Sequence, residues 1–312
     1  MESVACIFCQ KPNHNVAITE NGYYGRRCVN CGLIYISPRP SPSETAQLYT
    51  EGHAALYADA QLHFGRFKEK EASETIKIIK KFKSNGTILE LGPGGGAFLK
   101  TAREFGFTPY AIELNPIEAT WIGQDLKIPC ESVALNHKSF NGKKFDVVYH
   151  RDVLSHLYDP INTFELINQS LKQKGLVIFE TGNIADINPR YLRLFSQFLY
   201  PDHLYFFGEN SVQLLLERTG FECLKIYRNS IVVSLLLQKA LWNLKDRLKD
   251  GHSLSAMRQL HAASDTVKTR FSAKRRLRLL YRYTSYYIEK LGGVFPKNTW
   301  PLKLLVVAEK RS

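Results

Sequence analysis

Thr87-Ile-Leu-Glu-Leu-Gly-Pro-Gly-Gly-Gly-Ala-Phe-Leu99 opens as an apolar run, Ile88 to Leu91, of the kind a buried parallel strand carries. It breaks at Gly92, Pro93, Gly94, Gly95 and Gly96, then resumes at helical spacing with Phe98, Leu99, Ala102 and Phe105. Gly106 stands where a helix would end. Strand, glycine turn and helix together let a backbone approach a ligand closely, with free N–H groups pointing at it. Two ligand classes fit the turn. Gly92, Gly94 and Ala97 match the dinucleotide spacing G-x-G-x-x-G/A, with Glu113 an acidic residue further on. Glu90, Gly92, Gly94 and Gly96 match E/D-x-G-x-G-x-G equally well. Glu90 favours the second pattern, because a carboxylate at the end of a buried strand is costly unless a ligand amine or another partner meets it.

Outward from this stretch the chain alternates. Glu71 to Phe82 reads as a helix that packs on the sheet just before the glycine strand. Downstream, Thr108 to Leu114 reads as a strand, Ile117 to Gln124 as a helix, and Phe145 to His150 as a strand. Pro160 to Leu171 and Asn210 to Arg218 read as helices, and Gly175 to Glu180, Phe221 to Arg228 and Leu302 to Glu309 as strands. This rhythm predicts a mostly parallel sheet with helices on both faces and a ligand beyond the carboxyl ends of the strands, where Gly92, Glu113 and His150 fall.

The N-terminal segment has another chemistry. Cys6-Ile-Phe-Cys9 and Cys28-Val-Asn-Cys31 are two C-x-x-C pairs separated by 18 residues, the spacing of a zinc ribbon. Each pair presents two thiolates from one tight turn, and two turns close a tetrahedron around Zn²⁺. Four cysteines leave no open position, so the expected role is structural. Ser37-Pro-Arg-Pro-Ser-Pro-Ser43 then reads as a stiff, extended connector.

The motif order resembles that of the class I S-adenosylmethionine-dependent methyltransferases. The residues that carry the resemblance are Glu90 to Gly96, Ala111-Ile-Glu-Leu-Asn-Pro116 and Phe145-Asp-Val-Val-Tyr-His-Arg-Asp-Val-Leu-Ser-His-Leu157. Pro201-Asp-His-Leu-Tyr-Phe-Phe207 and the cysteine leader are similar to a bacterial subgroup that includes deoxysugar C-methyltransferases. The resemblance implies an α/β fold, a seven-stranded Rossmann-like methyltransferase sheet with its last strand antiparallel behind an N-terminal zinc ribbon; the residue pattern from Lys239 to Lys290 adds a helical C-terminal insertion. The chain then reads as a zinc-ribbon leader at 1–40, linker and helices at 41–83, and a methyltransferase domain at 84–312 with a basic helical insertion at about 231–299. The resemblance also implies that Gly92, Gly94 and Gly96 cradle S-adenosylmethionine, that Glu113 accepts its ribose hydroxyls, and that Glu90, His150 and Arg151 complete the cofactor site. His203 and His156 are the candidate catalytic bases, with Tyr205 and Asp152 weaker choices; Cys6, Cys9, Cys28 and Cys31 are the expected metal ligands.

The resemblance leaves residues 231 to 299 unexplained. The chain of 312 residues carries a net charge of +13, and from Lys239 to Lys290 there are 13 Lys and Arg against 4 Asp and Glu. This excess suggests an anionic membrane surface, with a lid or a dimer face as alternatives. Nucleic acid is the less favoured partner, since no recognised reading module accompanies the charge. The N-terminus has no secretory-signal pattern, and the cysteines are not spread like a disulfide framework. The expected location is cytoplasmic, or peripheral on the inner face of a membrane. The expected reaction is methyl transfer to a small-molecule acceptor, a sugar nucleotide or glycan precursor first and a membrane lipid or quinone second. The rivals are a nucleic-acid-binding protein and a dehydrogenase.

Overall fold

The computed structural model describes residues 1–45, 65–195, 197–237 and 299–311, with residues 239, 284, 286–289 and 297 besides. Nearly all of the basic stretch 239–290 lies outside the described residues, as do Tyr57, His63 and Phe64.

The larger sheet contains β4 (Gly86–Leu91), β5 (Phe107–Ile112), β6 (Cys130–Glu131), β7 (Phe145–Arg151), β8 (Leu171–Gly182), β10 (Phe221–Ser230) and β11 (Leu302–Lys310). Its order is β10-β11-β8-β7-β4-β5-β6. Neighbours from β8 through β6 are parallel, whereas β11 runs antiparallel to both β8 and β10. This is the mostly parallel sheet that the sequence pattern predicts, with the seven strands that the resemblance implies. β8 and β11 extend beyond their expected bounds, each laddered on both sides through its central part, β8 to β7 and β11, and β11 to β8 and β10.

Strand alternation assigns the faces. Ile88, Val147, Tyr149, Ile178 and Val307 turn to one side, against Ala72, Ile76 and Ile79 of α1 (Gly65–Ile79) and Phe98 and Ala102 of α2 (Ala97–Glu104). Leu89, Leu91, Val148, Phe179 and Val306 turn to the other. There they meet Phe164 and Ile167 of α4 (Pro160–Ser170) and Val212 and Leu215 of α5 (Glu209–Arg218). A smaller cluster beneath α3 (Pro116–Gln124) holds Leu99, Ala111 and Ile122. Asn115 caps α3 by accepting from the Ile117 amide, and Pro116 takes the first helical position, where its missing donor costs nothing.

The leader builds a second sheet from β1 (Val16–Glu20), β2 (Tyr23–Arg27) and β3 (Ile34–Ile36). Asn21-Gly22 closes the first hairpin with both residues at positive φ, the conformation a two-residue hairpin loop requires. The fourth strand comes from 170 residues away: β9 (Tyr205–Phe206) pairs with β3, Ile34 opposite Phe206 and Tyr35 opposite Tyr205. Further bonds reinforce this join. Glu20 accepts from the amides of Phe198 and Tyr200, Asn21 donates to the Tyr200 carbonyl, and Asn210 donates to the Cys31 carbonyl.

The proline segment is not a free connector. Arg39 is buried, donates to Glu2, the Tyr205 hydroxyl and the Tyr158 carbonyl, and lies 3.9 Å over the Tyr158 ring. The leader and the larger sheet accordingly share one apolar cluster.

Candidate functional site

The glycine turn sits at the carboxyl edge of β4, with β5 and β7 beside it. Gly92 holds φ +65°, and a Cβ there would come within 2.8 Å of Val153 Cγ2. Only glycine tolerates both conditions at once. Gly94 and Gly96 also take positive φ, and Gly96 is the N-cap of α2. The turn is tied to its neighbour strand by the acidic residue the sequence singles out. Glu113 follows β5 directly; one carboxylate oxygen accepts from the Asn115 amide at 2.8 Å and the other from the Gly94 amide at 3.2 Å. Each oxygen retains a further acceptor position. Burial pushes Glu113 up from the ordinary carboxylate value, and the two amides oppose that shift.

Glu90, on β4, is buried, and its Oε2 has no hydrogen-bond partner. Burial, then the neighbouring charge of Glu113, holds it well above the usual range. A second such carboxylate carries no signal in the sequence beyond an acidic residue in the first turn of a helix. Glu118 of α3 is buried, its Oε1 is unpartnered, and burial and then Glu113 push it up to about 7. The Lys68 charge acts on both Glu90 and Glu118. Two buried carboxyl oxygens without partners, beside a glycine turn, fit a ligand that brings N–H or O–H donors and positive charge.

The unusual state of Glu118 has a consequence for the ligand-free protein. Its folded value lies above its unfolded one, so the folded chain binds the extra proton between about 4.5 and 7. Stability from this group is full below that window and lost as pH rises through it. Glu118→Gln is therefore expected to gain on the wild type by of the order of 3 kcal/mol on going from pH 5 to pH 8, at about 1.4 kcal/mol per pKa unit. Denaturant unfolding at the two pH values measures it; an equal difference at both would mean that Glu118 ionises normally.

Strand alternation sends the side chains of His150 and Arg151 to opposite faces of the sheet. His150 turns into the face under α4, fully buried and stacked on Phe179 at 5.1 Å, with Phe164 edge-on at 5.8 Å. Neither ring nitrogen has a hydrogen-bond partner, and burial pushes it down to about 3, so the ring is neutral. Arg151 turns to the opposite face. Its guanidinium grips Glu71 of α1 with two bonds, at 3.0 and 3.1 Å, and lies 3.4 Å from Glu180, which also accepts from Tyr149 and Thr75. This is a clamp between α1 and the sheet.

The two candidate bases are brought together. Val153, which touches Gly92, leads into the turn Leu154–His156, and the Leu204 amide donates to the Ser155 carbonyl at 2.8 Å. His156 Nδ1 lies 3.1 Å from Asp202 Oδ1, and the His156 and His203 ring centroids are 4.5 Å apart. Burial, with a contribution from His156, pushes His203 down to about 4. Asp202 is a member that sequence reasoning missed, its only signal being its place before His203. Tyr205 is buried, its hydroxyl accepting from Arg39, and Asp152 is exposed.

The four leader cysteines converge. Their sulfurs all lie within 4.8 Å of one another, with Cys6 and Cys31 at 3.5 Å, and all are free thiols. Zn–S bonds of about 2.3 Å in a tetrahedron give S···S edges of about 3.8 Å. The donor set fits Zn²⁺.

Comparison with known proteins follows this geometry. The model of a methyltransferase domain matches residues 64–226. A tRNA U34 carboxymethyltransferase of Aliarcobacter butzleri is 26% identical over 149 residues, 47% of this chain and 49% of that protein. A ubiquinone biosynthesis O-methyltransferase of Haemophilus ducreyi is 30% identical over 115 residues, 32% of this chain and 49% of that protein. The chain thus spans about half the length of these curated relatives. Among solved structures, phosphoethanolamine N-methyltransferase 2 of Haemonchus contortus with S-adenosyl-L-methionine is 16% identical, with a TM-score of 0.49, over 89% of this chain and 62% of that one.

Proposed function

The chain belongs to the methyltransferase-domain family, and on that premise we propose that it transfers the methyl group of S-adenosylmethionine to a nucleophile on a small molecule, a sugar nucleotide or glycan precursor first. The observation that carries this reading is the link between Glu113 and the Gly94 amide. It sets a carboxylate, with acceptor capacity to spare for two hydroxyls, at the lip of the glycine turn. The unpartnered oxygens of Glu90 and Glu118 supply acceptors for the donors of an amino-acid and nucleoside ligand.

When bound, S-adenosylmethionine supplies a methyl group on a positively charged sulfur. The chain's own part is mostly placement and exclusion of water. Gly92 brings the backbone against the ligand, and Glu113 orients it. His156, Asp202 and His203 would favour loss of a proton from the acceptor, taking it up or passing it to water, as the acceptor becomes the nucleophile. Cys6, Cys9, Cys28 and Cys31 would hold a structural zinc ion. Among the described residues no helix is long and apolar enough to cross a membrane.

Glu113→Ala is expected to weaken S-adenosylmethionine binding by about 1.5–3 kcal/mol, the range for hydrogen bonds to a charged group. Calorimetry reads the affinity, and unchanged affinity would remove the basis of the cofactor assignment. Transfer of labelled methyl to a panel of sugar nucleotides tests the acceptor class. The relative from ubiquinone biosynthesis favours a second reading, an acceptor oxygen on a quinone precursor. Label in a hydroxylated quinone precursor and none in the sugars would select it. Binding that falls steeply with salt would select RNA instead.

A further inference from the structure

We propose that His156, Asp202 and His203 form a binding site for one divalent transition-metal ion, distinct from the four-cysteine centre. The inference deepens the proposed transfer reaction and rests on it for its role, but the site stands on its own geometry. One ligand atom from each of the three residues lies within 4.8 Å of the others. His156 Nδ1 and Asp202 Oδ1 are 3.1 Å apart. Metal bonds of about 2.1 Å place neighbouring nitrogen and oxygen ligands about 3.0 Å apart in an octahedron and about 3.4 Å in a tetrahedron. The observed edge falls between these.

Two further observations point to a ligand. His203 Nδ1 is sealed from solvent without a hydrogen-bond partner, and an ion would satisfy it. The donors are also held in place by backbone bonds outside the cluster. The His156 amide donates to Val153, the His203 amide to Leu199, and the Leu204 amide to Ser155. β9, the next strand, is laddered to the leader. Such support is what a preorganised metal site needs.

Two imidazoles and one carboxylate suit Zn²⁺, Fe²⁺ or Mn²⁺ and leave coordination positions open. The cysteine centre, with four soft sulfurs, has none. His156 closes the turn that Val153 leads into, and Val153 lies beside Gly92, so an acceptor oxygen on such an ion would be near the cofactor turn. An ion there would polarise an acceptor hydroxyl, ease release of its proton to water and leave the oxygen free to take the methyl group. The histidines would then act on the acceptor through the ion.

The test uses the full chain carrying its cysteine-bound zinc, titrated with Mn²⁺ and separately with Zn²⁺ in a calorimeter. One further equivalent of at least one ion is expected. His203→Ala and Asp202→Asn should each lower its affinity at least tenfold, with cysteine-bound zinc and S-adenosylmethionine affinity unchanged. Those two readouts show that each variant is folded. No further equivalent for either ion would overturn the proposal, as would a further equivalent that survives both substitutions. Failure of the wild type to bind S-adenosylmethionine would instead sink the transfer reading, while the titrations would still decide the metal site.

Discussion

Cys28→Ser protein is expected to emerge without its leader metal and without turnover, yet still bind S-adenosylmethionine. The leader is small. Its strands are three to five residues long, and its turns around Cys6 and Cys28 are closed by two backbone bonds each, Gln10 to Cys6 with Cys6 to Lys11, and Gly32 to Cys28 with Cys28 to Leu33. A structural zinc ion contributes about 10–16 kcal/mol of apparent binding energy in such modules, comparable to a whole domain's usual stability. Without it the cysteine turn that leads into β3 loses its cross-link, and β3 is held only by its ladders and its buried face.

The consequence reaches the acceptor side because β3 pairs with β9, and because Glu20, Asn21 and Asn210 fasten the leader to the segment around His203. The glycine turn and Glu113 belong to the other sheet and keep their ladder. Metal analysis, calorimetry with S-adenosylmethionine and hydrogen exchange of the amides of residues 198–206 read the three parts separately. Full exchange protection in a metal-free variant would show that the leader does not depend on its metal.

His203→Ala and His156→Ala are expected to lower turnover by about 10²–10⁴-fold, the usual worth of a group that assists proton removal. S-adenosylmethionine affinity should stay within about twofold, by the independence of sites without shared partners. Both rings border the turn after β7, and the 3.1 Å contact with Asp202 holds His156 in one orientation. Asp202→Asn should then lower turnover through His156 with little change in the cofactor's affinity. Turnover within threefold of wild type in both histidine variants would exclude the cluster from the chemistry. Loss of cofactor affinity in step with turnover would mean that the substitutions had disturbed the glycine turn instead.

The sequence by itself determined whatever is local. The run Ile88 to Leu91, broken by glycines and resumed at helical spacing, specified β4, the turn and α2, because hydrophobic period and positive-φ glycines are properties of neighbouring residues. Paired C-x-x-C spacing did the same for the cysteine centre, whose sulfurs converge as two tight turns require. Glu113 was legible as an acidic residue at a strand end.

Tertiary structure decided what depends on which face a strand residue turns to and on which distant segments meet. His150 and Arg151 are adjacent in sequence, but a strand sends them to opposite sides, one into an aromatic core and the other into a clamp with Glu71. Glu118 became a site residue only when folding removed it from water beside Glu113. Asp202 joined His156 across 46 residues, and β9 completed the leader's sheet from across the chain. No local pattern encodes such partners, since they are chosen by the burial of shared apolar surface and the pairing of strand edges.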